Sequence, residues 1–124
     1  MDFTEIVNII LGVLTIGFGA IGLISPSYAM GALALKTDGD KRDGLSEIRA
    51  ASGGAFVVMS VVAILIGQSF PMAWVMVGVH YAGAGLGRIV SIALDGSGSK
   101  KIWFFFAIEA LFAAWFILAN FPPL

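Results

Sequence analysis

Long apolar stretches separated by short polar or breaker-rich segments dominate the chain. A helix rises 1.5 Å per residue, so about 20 consecutive apolar residues cross the roughly 30 Å hydrocarbon core of a bilayer. Four stretches meet that length, at residues 4–25, 45–67, 72–94 and 102–121. Hydrocarbon offers the backbone no hydrogen-bonding partner, so each stretch is expected to be a helix that satisfies its own N–H and C=O groups. The first carries Asp2 and Glu5 near its start and no Lys or Arg. That is unlike the cationic leader of a signal peptide, so this stretch is expected to be retained as a span.

The connections predict how the spans follow one another. Gly67-Gln-Ser-Phe-Pro71 reads as a tight turn with Pro71 near the start of the third helix, and Asp95-Gly-Ser-Gly-Ser99 as a second turn rich in breakers. Both make sequential helices antiparallel. The first connection is longer. Ser25-Pro26 supplies a cap and a first helical position, followed by the mildly apolar stretch from Tyr28 to Leu35, which predicts a short interfacial helix. A polar loop from Lys36 to Gly44 completes it. The predicted fold class is all-α, a transmembrane four-helix antiparallel bundle with a short interfacial helix between helices one and two, forming one domain over 1–124.

Composition supports a lipid environment: 59% of residues are hydrophobic and 12% charged, and mean hydropathy is +0.97, too little polar surface to coat a soluble globule of this size. The absence of cysteine excludes disulfides, thiolate catalysis and cysteine metal sites. With a net charge of -1 and no basic run, nothing points to a nucleic-acid partner. Asp38 and Asp40 lack the rest of an EF-hand spacing and read as a solvated turn. Orientation follows from the loop cations. Lys36, Lys41, Arg42, Lys100 and Lys101 all lie in the first and third connections, so those loops are expected on the cytoplasmic side and both termini outside. Trp74 near the outer boundary and Trp103 near the inner one fit interfacial aromatic belts.

Ionisable residues within spans cost roughly 2.5 to 3.5 kcal/mol each at mid-helix, so Glu47, Arg49, Arg88 and Glu109 need a reason to be there. Arg88 lies seven residues before Asp95, about 10 Å from the inner end of helix three, and Glu109 lies eight residues after Lys101, about 12 Å along helix four. Their depths match. Glu47 and Arg49 lie just inside the same boundary, where Arg49 either snorkels outward or turns inward. Tyr81, Arg88, Ser91 and Asp95 share one face of helix three. Gly53-Gly54 and the Gly83/Gly87 small-xxx-small pair are expected where helices two and three approach closely.

Two readings fit this set. In one, Arg88 and Glu109 form an ion pair that fixes register. In the other, Glu47, Arg49, Arg88, Ser91, Asp95 and Glu109 line a cytoplasmic-side pocket for a headgroup, a small anion or a proton. His80, near mid-membrane, is expected to stay neutral and hydrogen-bond a neighbouring helix, or to act with Tyr81 in a proton relay. A lone histidine makes a poor metal site. Phe104, Phe105, Phe106, Trp115 and Phe116 read as lipid-facing or core residues. No metal, cofactor or catalytic residue is expected.

Several of these residues form motifs: Gly22-Leu23 three residues before Pro26, Glu47-x-Arg49-Ala50-x-x-Gly53-Gly54, Gly87-Arg88-x-x-Ser91-x-x-x-Asp95-Gly96, and Glu109 in the last helix. Together they resemble small bacterial four-helix membrane proteins of uncharacterised function within the DoxX-like superfamily, over nearly the whole chain. The resemblance implies a four-helix fold with these polar residues gathered together. Some DoxX-like relatives are linked to quinone-dependent oxidoreductases and others to assembly of larger membrane proteins, links that reach this chain by analogy alone.

Three function classes stay open. Small size, minimal soluble loops and no recognisable catalytic set suit an accessory or assembly subunit of a larger membrane complex. A proton-coupled carrier built on Glu109, Arg88 and His80 would need a homo-oligomer to form two gates. A lipid- or quinone-modifying enzyme would use Glu47 or Glu109 as acid or base. The orientation is directly testable. Alkaline phosphatase fused to the C-terminus is expected to be active while a cytoplasm-dependent fluorescent fusion stays dark; the reverse pattern would overturn the charge argument.

Overall fold

The computed structural model describes residues 1–123 and is all-α, with no strand among the described residues. Its helices are α1 (Phe3–Ile24), α2 (Pro26–Ala32), α3 (Asp43–Arg49), α4 (Ala55–Ile66), α5 (Met72–Asp95) and α6 (Lys100–Asn120), and a π-helical segment, Ala50–Gly54, joins α3 to α4. Four continuous helical stretches are long and apolar enough to cross a membrane: Phe3–Ile24, Asp43–Ile66, Met72–Asp95 and Lys100–Asn120. The protein is a multi-pass integral membrane protein, and each stretch begins and ends within two residues of its expected limits.

Local chemistry sets the helix ends. Ile66 accepts hydrogen bonds from the Ser69 and Phe70 amides, and Pro71, in the N-cap position of α5, accepts from Trp74 and Val75. α5 stops at Gly96, whose φ of 65° is the left-handed conformation that glycine adopts without steric cost. Ser99 caps α6 by accepting from the Ile102 amide at 3.3 Å. The expected short helix is present as α2, with Pro26 in its first turn, although Ser25 makes no side-chain cap bond. α2 ends with Leu35 N–H on the Met30 carbonyl and Ala34 N–H on the Gly31 carbonyl, a Schellman arrangement with Ala34 at φ 57°.

Two compact units make up the chain. In the unit of residues 9–65, α1 runs antiparallel to the second spanning helix, with backbone against backbone. A Cβ placed on Gly22 would lie 2.6 Å from the Ser52 carbonyl oxygen, and one on Gly53 would lie 2.6 Å from the Leu23 nitrogen. Gly19 is as constrained, 2.8 Å from the Gly53 oxygen. All three positions require glycine because no side-chain movement relieves a clash with main chain. The π turn falls at this contact, where Ala50-Ala-Ser-Gly-Gly54 supplies small residues that tolerate the widened backbone. On the loop side, Ala29 and Met30 of α2 are buried with Ile48 of α3, and Leu33 and Leu45 pack against them.

The second unit combines residues 1–8 with those from Ile66 onward. Here α5 and α6 pack antiparallel, as rising positions on α5 meet falling positions on α6. Trp74 stacks on Phe116 with centroids 5.4 Å apart, Tyr81 meets Phe112 edge-on at 5.2 Å, and Gly85 lies opposite Phe106 and Glu109. A Cβ on Gly78 would sit 2.9 Å from Phe116 Cβ and 3.1 Å from the Ile117 nitrogen. Trp74 is only 3% exposed, so it is a core residue of this helix pair and not the interfacial anchor its position suggested. Trp103, by contrast, is exposed.

A Cβ on Gly83 or Gly87 meets nothing within 4 Å, and one on Gly54 makes only ordinary contacts. Small-xxx-small spacing permits a close approach without specifying one, and within the two units the tight approaches lie at Gly19, Gly22, Gly53 and Gly78. Gly22→Ala and Gly53→Ala are therefore expected to destabilise the protein by about 1 to 3 kcal/mol through overpacking. Gly83→Ala and Gly87→Ala should be neutral or stabilising by up to about 1 kcal/mol through helix propensity. Thermal unfolding in mild detergent separates the pairs, and equal melting temperatures across all four variants would refute the assigned contact.

Candidate functional site

The polar residues singled out in the sequence divide between the two units. Arg88, Ser91, Asp95 and Glu109 belong to the α5–α6 unit, Glu47 and Arg49 to the 9–65 unit. In the first group, Arg88 and Glu109 form a bidentate ion pair. Arg88 Nε donates to Glu109 Oε1 at 3.0 Å and Oε2 at 3.1 Å, and Nη2 donates to Oε1 at 2.9 Å. The side chains are 28% and 11% exposed. Gly85, one turn before Arg88, faces the same part of α6, where a Cβ would lie at an ordinary contact distance of 3.9 Å from Glu109 Cβ. The guanidinium also lies over Phe105, 5.1 Å from the ring centroid, adding a cation–π contact on its remaining face.

Ser91 and Asp95, farther along the same helix, form their own group. Ser91 Oγ donates to Asp95 Oδ2 at 2.9 Å and lies 2.8 Å from Ser97 Oγ. The sequence reading took Ser97 only as part of the turn, where hydroxyl residues are common and carry no distinctive signal. A groove of about 350 Å³ runs past these residues, lined by Ala84, Gly87, Arg88, Ser91, Ser97 and Ile102. Gly87 keeps it open, having no neighbour where a side chain would point.

In the 9–65 unit, Arg49 turns toward α1 and donates through Nη1 to the Leu23 carbonyl. That carbonyl belongs to the last turn of α1, where acceptors lack partners within the helix, so Arg49 acts as a side-chain cap. Glu47 is exposed. Of the two relay candidates, His80 lies on an exposed part of α5, while Tyr81 is buried with its ring between Phe112 and Phe116.

A second buried polar cluster escaped the sequence reading altogether. Asn8 and Asn120, 2% and 7% exposed, exchange amide hydrogen bonds at 2.6 and 3.0 Å. Trp115 Nε1 donates to Asn8 Oδ1 at 2.9 Å, and Asn120 also donates to the Phe116 carbonyl at 3.0 Å. An asparagine inside an apolar span is a visible cost and could have marked Asn8, but its partner lies 112 residues away. Among the described residues no group of three or more His, Cys, Asp or Glu side chains could hold a metal ion.

The chain belongs to the DUF4345 family, described as a domain of unknown function, whose family model matches residues 3–120. No curated protein and no solved structure shows a significant match.

The ion pair yields a double-mutant prediction. Removing one member of a buried pair typically costs about 3 to 5 kcal/mol because the other is left uncompensated, whereas replacing both is often near neutral. Arg88→Met and Glu109→Gln are each expected to lower yield and thermal stability, and the double variant to recover most of the loss. Additive losses would show that the pair contributes no coupling.

Proposed function

We propose that this protein is an accessory or assembly subunit of a larger membrane complex, in a bacterial inner membrane with both termini outside, and that its internal charges hold its own helices in register. The observation that carries this reading is the closed Arg88–Glu109 pair. The carboxylate of a proton-coupled carrier has to bind and release its ion, whereas Glu109 is engaged by three hydrogen bonds from one guanidinium. Arg49 is likewise bonded within the chain. The spanning windows are only 17% to 28% buried, so most of their surface is available to lipid or to a partner protein. α6 is the extreme case, with Phe104, Leu111 and Leu118 at 61%, 70% and 80% exposure.

In this reading the groove beside Arg88, in the cytoplasmic half, is a place where a partner's polar group or a lipid headgroup can sit. The DoxX-like affiliation belongs to the same proposal and rests on the motifs alone. The second reading is a small oligomeric proton-coupled transporter, favoured by the exposure of His80 within a span, which a homo-oligomer would bury. Purification from the native membrane in mild detergent, followed by native mass spectrometry, decides between them. A stoichiometric larger partner is expected. A homo-oligomer with no other protein would overturn the accessory role and favour the transporter.

A further inference from the structure

Arg49 differs from Arg88 in what holds it. Arg88 is neutralised by a carboxylate, whereas Arg49 is anchored by a carbonyl, which fixes its position without cancelling its charge. A guanidinium carries five N–H donors, so the bond from Nη1 to Leu23 leaves others for an anion. Arg49 also lines an open cavity of about 550 Å³ together with Arg42, Leu45, Ser46 and Ala50. Arg42, Ser46 and Arg49 are spaced by four and three residues and share one helical face. The nearby carboxylates, Asp43 and Glu47, lie off that face and do not line the cavity.

A second cavity of about 560 Å³ shares Arg42 and Leu45 with the first and adds Lys36, Lys41, Ser27 and Thr37, with Asp40 as its one acidic residue. Lys41 also pairs with Asp38 at 3.9 Å, a fully solvated contact that holds it weakly. The surroundings set the depth of these cavities. Ile24, Tyr28 and Leu35 are 76%, 68% and 48% exposed around α2, an apolar and aromatic rim of the kind that sits at headgroup level. The buried contacts of Ala29, Met30 and Ile48 hold α2 and α3 together beneath it.

We propose that Arg42, Ser46 and Arg49 bind the phosphate of an anionic phospholipid. The headgroup extends toward Lys36, Lys41 and the hydroxyls of Ser27 and Thr37, and the first acyl carbons rest on Leu45 and Ala50. Two arginines about 10 Å apart along the helix, with a hydroxyl between them, suit a phosphate, which guanidinium groups grip through paired hydrogen bonds. The apolar part of the lining and the exposed rim favour a lipid over a free anion. Neighbouring cations make an acidic headgroup preferable to a zwitterionic one.

The test uses the full chain purified in mild detergent and titrated with short-chain phosphatidylglycerol or phosphatidylcholine, with occupancy read by native mass spectrometry. Phosphatidylglycerol is expected to bind at least fivefold more tightly. Arg42→Gln should lower its affinity about fivefold, and Arg42→Gln with Arg49→Gln about twenty-five-fold, in line with the usual contribution of each cation near an anionic surface. Because Arg49 also caps α1, Arg42→Gln and Ser46→Ala, each checked by circular dichroism, carry the test should the double variant fail to fold. Lys100→Gln with Lys101→Gln should leave affinity unchanged. Equal binding of the two lipids, an equal loss in the Lys100/Lys101 variant, or displacement of the lipid by millimolar inorganic phosphate would each overturn the proposal.

Discussion

Within hydrocarbon a polar side chain has no water to fall back on, and three polar groups of this protein find their partners on distant segments of the chain. Arg88 reaches across to Glu109, Asn8 exchanges amide bonds with Asn120, and Arg49 takes a carbonyl at the end of α1. Each of these bonds joins segments far apart in sequence. An ion pair in such a setting adds little net stability over a well-packed apolar pair, but breaking it is costly. It therefore acts against alternative registers more than for the native one: sliding α5 past α6 by one turn would leave a guanidinium and a carboxylate both unmatched.

Helix association in lipid cannot draw on the hydrophobic effect, because lipid tails are as apolar as leucine. Close packing takes its place, and the glycines show where. Gly19, Gly22 and Gly53 bring two backbones together, and the π turn at Ala50–Gly54 coincides with that contact. Arg49 immediately precedes the π turn and caps α1 beside the same contact, so packing and polar satisfaction reinforce each other at one point. In the other unit, Gly78 lets α6 approach while Trp74, Tyr81, Phe112 and Phe116 fill the space between.

The spans were legible because crossing a bilayer imposes a length and a hydropathy that few other structures share. The Arg88–Glu109 pair was legible for a related reason: their distances from the same membrane boundary fixed their depths, and opposite charges at equal depth in sequential helices have a strong incentive to meet. Patterns that express only capacity misled. Trp74 can anchor at an interface but stacks on Phe116 instead. The π turn had no signature in hydropathy at all, since one inserted residue leaves an apolar stretch apolar. Asn8 and Asn120 could be paired only by knowing which helix ends meet, and Ser97 only by knowing how the turn folds back toward Ser91.

The same two arginines that the sequence grouped together do different work. A cation matched by a carboxylate presents little net field to its surroundings, so the Arg88 groove offers shape and hydroxyls more than charge. A cation anchored by a carbonyl keeps its field, and the spare donors of Arg49 remain oriented because one of them is fixed. Preorganised donors bind an anion at lower entropic cost than a free surface side chain does. The polar residues thus divide into an ion pair that holds α5 against α6 and a carbonyl-anchored arginine that carries the proposed lipid site.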